Sequence, residues 1–395
     1  MEKVIIINAT ELGYQVIRAL GEKGIRSYVV YDKEKDEIGR YSKYVLQAHK
    51  VPKYIEEPSR LLEFLLAKKE EWKGTLILPT KDYGVEFLAA NKEILSPHYI
   101  IPTPGIEVIR GIVNKKNLYQ TARKMGIDIS KTFYPKSFED LEALKSEIRF
   151  PCLLKPGLGH KFFRRFDFKM LEIHNFADLS ESLSRITDGF RDDSYEIMIS
   201  EIIPGLDSEH MIQFVSYIDR EGEMLASMTS RKLRQDPPKY GQGRVAKSEK
   251  IADVNEVSLR LLKELGYYGF SEIEWKYDFR DRCYKLIEIN PRYIFYIGLC
   301  VACGINFPYI QYMDLAKDRK VKIPDFEEGV YWIHLYKDVL HTLFHHHLEN
   351  IPLREYLIPY LNKKAFAVWK PGDPFPFIQQ WKQHLGNMIV KRYAD

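Results

Sequence analysis

The sequence predicts a protein that combines an α/β domain at the start of the chain with a following α+β region. Over roughly the first hundred residues, strand-sized apolar runs alternate with helix-like segments, which favours a parallel sheet covered by helices. Farther along, residues 210–234 and 270–292 each read as two alternating strands joined by a short polar turn, which is typical of antiparallel hairpins. A chain of 395 residues is long enough for two or three such domains.

The first elements predict a Rossmann-like opening. Residues 4–8 read as a buried strand, residues 14–24 as a helix, and residues 25–32 as a second strand. The first turn holds only Gly13, so the G-x-G-x-x-G fingerprint of a dinucleotide site is absent. We therefore interpret residues 1–104 as a Rossmann-like scaffold domain without a dinucleotide site.

After a Pro-rich break at residues 101–105, the pattern becomes mixed. One long helix is predicted at 107–127 and a strand at 150–156. A further helix is predicted at 253–269. From about residue 325 onward, aromatic residues and prolines become frequent and the pattern is irregular.

The composition is that of a globular protein with a sizeable apolar core. Hydrophobic residues make up 45% of the chain, and the net charge of +4 is too small to favour nucleic-acid binding. Apolar runs such as residues 4–9 are much shorter than the roughly 20 residues of a membrane span and too short for a signal peptide. We therefore expect no nucleic-acid partner, no membrane span and a cytoplasmic location.

The second predicted hairpin carries polar residues at every second position. Glu272 and Glu274 share one face of its first strand, and Glu288 and Asn290 share one face of the second. Pairing of the strands can place Glu274 opposite Glu288. Carboxylates and an amide oxygen suit Mg²⁺, which usually completes its shell with water and phosphate oxygens. The alternative is a solvated strand face with a local salt bridge to Arg292.

Lys155 ends an apolar, strand-like run. A lysine in this position is well placed to hold phosphate oxygens, and backbone amides of the loop at 157–166 could cradle phosphate as well. The loop lacks the fixed spacing of a P-loop, and Lys-Pro-Gly is also a common turn.

A second acidic position lies inside an apolar strand. Glu201 precedes a Pro-Gly pair, and a carboxylate there is costly unless it is paired. It could accept a hydrogen bond from an adenine amino group, while the backbone of Ile203 serves the ring nitrogens. Asp207 or Glu209 could bind ribose hydroxyls, although a surface glutamate at a strand end is the plainer alternative.

Taken in chain order, these motifs resemble the ATP-grasp superfamily over about residues 106–315. The matching features are Lys115 eleven residues before Gly126-Ile127, the strand end Lys155-Pro156, the hinge from Glu201 to Gly205, the acidic hairpin, and the run Glu-Ile-Asn-Pro-Arg at 288–292. The resemblance implies a fold in which two α+β subdomains hold ATP between them. It divides the chain into a Rossmann-like domain at 1–104, N-terminal and lid subdomains at 105–200, a C-terminal subdomain with the metal site at 201–320, and an extension at 321–395 packed on the ATP-grasp domain.

The resemblance also implies a role for each matching residue. The ATP ligands would be Lys115 and Lys155 at the phosphates, Glu201 and the Ile203 backbone at the adenine, and Asp207, with Glu209 as its rival, at the ribose. The Mg²⁺ ligands, with Mn²⁺ as an alternative ion, would be Glu274, Glu288 and Asn290. Lys232 would lie near the γ-phosphate with Arg234 beside it, and Arg292 would steady an acyl-phosphate and the product of attack on it.

One segment departs from the family pattern. Many members carry a glycine-rich lid after the Lys-Pro strand, whereas residues 157–171 of this chain are rich in basic and aromatic side chains. His160 and the basic residues after it could replace the lid's phosphate contacts or could bind an anionic substrate. This segment, together with the loops at 231–243 and 367–377, is similar to the branch that contains D-aspartate ligases.

The activity implied by the resemblance is ATP-dependent ligation of a small carboxylate to a small amine through an acyl-phosphate, with release of ADP and phosphate. The basic lid favours an anionic acid, and a homodimer is compatible with the resemblance. Two alternatives use the same fold: an ATP-dependent phosphotransferase and an ATP-binding protein without catalysis. The complete acidic set and both lysines argue against the last, whereas the sequence does not separate the first two.

Overall fold

A computed structural model describes residues 2–156, 170–188, 197–345 and 351–392. Three β-sheets organise these residues. The predicted lid segment, including His160, lies outside the described residues.

The first sheet is parallel and has the strand order β3-β2-β1-β4-β5. Its strands are β1 (Lys3–Ile7), β2 (Arg26–Tyr31), β3 (Val45–Lys50), β4 (Thr75–Pro79) and β5 (Tyr99–Ile100). The helices among them are α1 (Glu11–Gly21), α2 (Ser59–Ala67), α3 (Asp82–Ala90) and α4 (Lys92–Leu95), with a 3₁₀ turn at Ile38–Tyr41. This order reverses between β1 and β4, which is the Rossmann-like arrangement that the sequence predicts.

The segment after this sheet corrects one prediction. The single helix expected at 107–127 is two helices, α5 (Ile106–Val113) and α6 (Lys115–Lys124). Asn114 separates them because its backbone is extended, and its side-chain oxygen accepts hydrogen bonds from the N–H groups of Lys116 and Asn117 at 3.0 and 3.2 Å. The break makes Lys115 the first residue of α6.

The second sheet is antiparallel, with the order β6-β9-β7-β8. Its strands are β6 (Thr132–Phe133), β7 (Cys152–Pro156), β8 (Leu171–Ile173) and β9 (Ile197–Glu201). The helices between these strands are α7 (Phe138–Ala143) and α8 (Phe176–Asp188). Leucine and isoleucine side chains of the sheet and of α8 form a small core of their own.

The third sheet has seven strands in the order β14-β13-β10-β11-β12-β15-β16. Its strands are β10 (Met211–Ile218), β11 (Met224–Asp236), β12 (Gln242–Ser248), β13 (Gly269–Asp278), β14 (Cys283–Asn290), β15 (Tyr331–Ile333) and β16 (Lys364–Phe366). The helices are α9 (Asp207–His210), α10 (Asn255–Glu264), α11 (Ile297–Ala302), α12 (Phe307–Lys317), α13 (Leu335–His345), α14 (Leu353–Leu361) and α15 (Phe375–Arg392). None of the helices in the described ranges is long and apolar enough to cross a bilayer.

The seven-stranded sheet buries one face and leaves polar residues on the other. On β13, Ile273 and Trp275 belong to a core that also contains residues of α6 and α10. The alternate residues Glu272 and Glu274 therefore point to the opposite face. A second core joins this sheet to the first sheet through Ile6 and other apolar residues of β1 and α1.

The end of the chain is more regular than its sequence pattern suggests. Strands β15 and β16 extend the seven-stranded sheet, because Val245 of β12 pairs with Ile333 and β15 pairs in parallel with β16. Helices α13, α14 and α15 accompany them. A strand of three residues carries little local signal, so its pairing with a strand some 85 residues earlier decides the structure. The four domain limits proposed from the sequence stay predictions.

Candidate active site

A cleft of about 760 Å³ is lined by residues of the four-stranded sheet and by the polar face of the seven-stranded sheet. The sequence-predicted site residues in its lining are Lys115, Lys155, Glu201, Ile203, Asp207, Lys232, Glu274, Glu288, Asn290 and Arg292. Residues separated by up to about 180 positions along the chain thus converge on one cavity.

The acidic hairpin has the predicted register. Glu274 lies opposite Glu288, which confirms the predicted pairing, and Glu272 lies opposite Asn290. The Asn290 amide donates to Glu272 Oε2 and to Glu288 Oε1, both at 3.2 Å, while its oxygen accepts from Arg292 Nη2 at 3.3 Å. Asn290 therefore joins Glu272, Glu288 and Arg292 in one hydrogen-bonded group in the lining of the cleft.

Two lysines neutralise the facing carboxylates. Lys115 donates to Glu288, and Lys232 Nζ lies 3.1 Å from Glu274 Oε1. The Lys115 ammonium lowers the pKa of Glu288 to about 2. Burial disfavours the charge on Lys232, but the carboxylates of Glu274, Glu272 and Glu288 together outweigh it, so the pKa of Lys232 is raised.

Lys155 differs from these two lysines because it forms no salt bridge with any carboxylate of the described residues. It lies on β7, is 7% exposed, and has no hydrogen-bond or ion-pair partner among the described residues. Burial, together with the nearby charge of Lys115, lowers its pKa to about 7. A buried lysine in the cleft lining that makes no ion pair with a described carboxylate is a strong candidate for binding an anion.

At another part of the cleft, the end of β9 and the residues after it present three of the predicted nucleotide contacts. Glu201 Oε1 accepts from Arg280 Nη1 at 2.6 Å, and Ile203 lines the wall. Asp207 accepts from Lys276 Nζ at 2.8 Å and from Gln235 Nε2 at 2.9 Å.

The two rivals for the ribose role differ in position. The Glu209 side chain is 65% exposed and does not line the cleft, whereas Asp207 does. The structure therefore brings Asp207, and not Glu209, into the cavity.

Arg234 does not line the cleft, and its predicted catalytic role stays a prediction. The pairing of β11 with β12 is irregular on both sides of Arg234, so the rule that residues two apart share a face fails between Lys232 and Arg234. The Arg234 guanidinium is buried instead against the end of the chain, where it donates to Asp338 Oδ2 at 2.8 Å and to the Tyr356 carbonyl at 2.7 Å. The same irregularity turns Gln235 into the cleft.

Three further side chains belong to the site although they are not among the sequence-predicted site residues. Glu272 and Lys276 line the cleft. Both lie two positions from Glu274 on β13, so the alternation of side chains along a strand could have predicted that they share its face. Burial and the neighbouring Glu274 raise the pKa of Glu272 to about 7. Asp82, at the start of α3, accepts from Arg292 Nε at 2.5 Å. No local sequence pattern predicts this contact, because the two residues are far apart along the chain.

The donor set fits a divalent cation that shares its ligands with a phosphorylated molecule. In the described parts of the chain, no three histidine, cysteine or acidic side chains converge to hold a metal by themselves. Glu274, Glu288 and Asn290 nevertheless combine two carboxylates with an amide oxygen, and negative charge is crowded there because Glu274 lies opposite Glu288 with Glu272 in the same lining. A cation with added phosphate oxygens would relieve this crowding.

Comparison with known proteins gives related enzymes. No protein-family profile matches the chain. D-aspartate ligase of Enterococcus faecium is 27% identical over 270 residues, which cover 64% of this chain and 62% of that protein. The chain therefore spans less than two thirds of the length of that relative.

Two solved structures resemble the fold over a larger share of the chain. The biotin carboxylase domain of 2-oxoglutarate carboxylase from Hydrogenobacter thermophilus, solved with MgADP and bicarbonate, has a TM-score of 0.65 at 18% identity, covering 84% of this chain and 73% of that one. L-amino acid ligase from Bacillus licheniformis has a TM-score of 0.60 at 15% identity, covering 80% and 74%. The chain thus has the ATP-grasp fold that its motifs predict.

Proposed function

We propose that this protein is an ATP-dependent carboxylate–amine ligase that forms an amide or peptide bond through an acyl-phosphate. The observation that carries the proposal is the cleft itself, in which three lysines face a pair of opposed carboxylates with Arg292 beside them. Such a site can bind a nucleoside triphosphate and neutralise the charge of a transferring phosphoryl group. The likenesses to D-aspartate ligase and L-amino acid ligase support this class of reaction.

We propose ATP and Mg²⁺, with Mn²⁺ as an alternative, as the molecules bound here. Glu274, Glu288 and Asn290 would hold the metal, which supplies a positive charge that polarises the phosphate oxygens. Binding would then be an exchange of partners. Lys115 and Lys232 leave Glu288 and Glu274 for phosphate oxygens, so each charge that loses a partner gains another.

The remaining residues have separate tasks in the proposed reaction. Lys155 supplies a buried positive charge that has no hydrogen-bond or ion-pair partner in the described ranges. Asp207 is held by Lys276 and Gln235 in a position to accept from ribose hydroxyls. The substrate carboxylate attacks the γ-phosphorus and ADP leaves. Arg292, fixed by Asp82, faces the resulting acyl-phosphate.

The second half of the reaction needs no covalent bond to the protein. The nitrogen of the amine attacks the acyl carbon, loses a proton, and the carbon–oxygen bond to phosphate breaks. Amide and inorganic phosphate are the products.

The substrates are proposed as a class. The basic sequence of the predicted lid segment and the likeness to D-aspartate ligase favour a small anionic acid such as an amino diacid, joined to a small amine. A homodimer is also part of the proposal.

The decisive experiment measures ADP, phosphate and amide with a panel of acids that includes D-aspartate and L-aspartate, each with and without amines. Phosphate release that requires both an acid and an amine supports ligation. A stable phosphorylated acid formed without an amine supports a phosphotransferase instead, and ATP binding without turnover on any pair supports a non-catalytic protein.

A further inference from the structure

Strand β10 of the seven-stranded sheet holds a buried glutamine that has no role in the reaction steps proposed above. Gln213 of β10 is 0% exposed, and neither its Oε1 nor its Nε2 has a hydrogen-bond partner among the described residues. Buried amide groups are nearly always bonded, because leaving them unpaired forfeits their bonds to water. An amide with both polar atoms unpaired therefore needs an explanation.

The position of Gln213 relates it to the metal-binding face. In the two ladders of β10, it lies opposite Glu274 on one side and opposite Ser230 on the other. Cross-strand neighbours in an antiparallel ladder point to the same face. Its neighbours along that face of β10 are the apolar residues Met211 and Val215, so Gln213 is the polar exception beneath the cleft.

The proposed exchange of partners leaves the Glu274 carboxylate without its hydrogen-bond donor. The hydrogen bond that the described residues give Glu274 comes from Lys232. When Lys232 turns to a phosphate oxygen, the carboxylate loses that donor. Carboxylates that bind metals are usually held by a further hydrogen bond, which fixes their orientation.

We propose that Gln213 is a positioning residue for the metal site, whose Nε2 donates to Glu274 once Lys232 has released it. The inference rests on the proposed function, because it requires a bound cation and nucleotide. It explains why a polar side chain is kept without a partner in the core of the sheet: its partner becomes available in the bound state.

The test replaces Gln213 with methionine, which keeps the volume and removes both polar atoms. Mn²⁺ is the probe, titrated into the protein with saturating ADP and followed by electron paramagnetic resonance. We expect Gln213→Met to weaken Mn²⁺ binding roughly tenfold to a hundredfold. ADP binding in the presence of a chelator should be unchanged, and the nucleotide-free protein should be at least as stable as the wild type because no bonded group is lost.

A matched control is Gln311→Met, since Gln311 is also buried but accepts a hydrogen bond from Tyr293. This change should lower stability and leave the Mn²⁺ affinity as it is. Wild-type Mn²⁺ affinity in Gln213→Met overturns the inference. The inference is also overturned if Gln213→Met loses as much stability as the control and no longer binds ADP in the presence of a chelator, because Gln213 would then have a structural role. Failure of the wild type to bind Mn²⁺ with ADP overturns the proposed function as well.

Discussion

Replacing Glu288 with glutamine removes one negative charge from the cleft and almost no volume. Lys115 and Asn290 donate to different oxygens of Glu288, and glutamine has one acceptor oxygen, so one of these two hydrogen bonds is kept and the other is lost. The carboxylate is 32% exposed, and its loss also relieves repulsion from Glu274, so we expect the free energy of unfolding to fall by no more than about 2 kcal/mol. Turnover should fall roughly 10²-fold to 10³-fold, because a charge that stabilises the transferring phosphoryl group is gone.

The pH dependence of this stability change has a defined sign. The pKa of Glu288 is lowered from 4.5 to about 2, so its ion pair stabilises the fold fully above the unfolded-state value. The stability difference between wild type and Glu288→Gln should therefore be constant near neutral pH. It should shrink as the pH falls below about 4.5 toward 2.

The assay is ADP release at saturating Mg²⁺, with denaturant unfolding of the same preparations. Glu209→Gln is the matched control, since this exposed carboxylate does not line the cleft and should change neither quantity. Turnover of Glu288→Gln within about twofold of the wild type would refute the metal-site reasoning.

Three further changes separate the parts of the site. Because the pKa of Lys155 is lowered to about 7, this lysine is mostly neutral at pH 8, and nucleotide binding there should take up about 0.9 proton. Calorimetry in two buffers measures this uptake, which should vanish in Lys155→Met and near pH 5. Proton uptake that persists in the variant would contradict the assignment of Lys155 to the phosphates. Asp207→Asn should weaken ATP binding about tenfold in fluorescence titrations, whereas Glu209→Gln should not, and equal effects would refute the choice between them. Arg234→Met should lower the free energy of unfolding by about 2–4 kcal/mol, because it removes a partner of the buried Asp338. The ATP affinity should not change, and a weakened affinity in the folded variant would show that Arg234 acts in the site.

The sequence could predict the site residues that belong to regular local patterns. Strand alternation placed Glu288 and Asn290 on one face, and hairpin pairing then placed Glu274 opposite Glu288. The period of a β-strand is a property of the backbone, so it can be read wherever the strand is regular. The carboxyl end of β7 placed Lys155 at the cleft for the same reason.

Local patterns do not predict the structure where the backbone departs from the regular period or where distant segments meet. The irregular pairing around Arg234 moves its guanidinium off the face of Lys232, and no residue type signals such a shift. Asp82, the first residue of α3, reaches Arg292 although the two are 210 positions apart along the chain. The break at Asn114 could have been predicted, because asparagine favours the start of a helix. The apolar periodicity continues across Asn114, however, and therefore indicates a single helix.

The central claim is that the cleft activates a carboxyl group as an acyl-phosphate for attack by an amine. It is tested most directly by labelling the carboxylate of an acid that supports turnover with a heavy oxygen isotope and analysing the phosphate by mass spectrometry. The account predicts that each amide formed is accompanied by one inorganic phosphate carrying one labelled oxygen. Unlabelled phosphate, or label that stays in a stable phosphorylated acid, would contradict it.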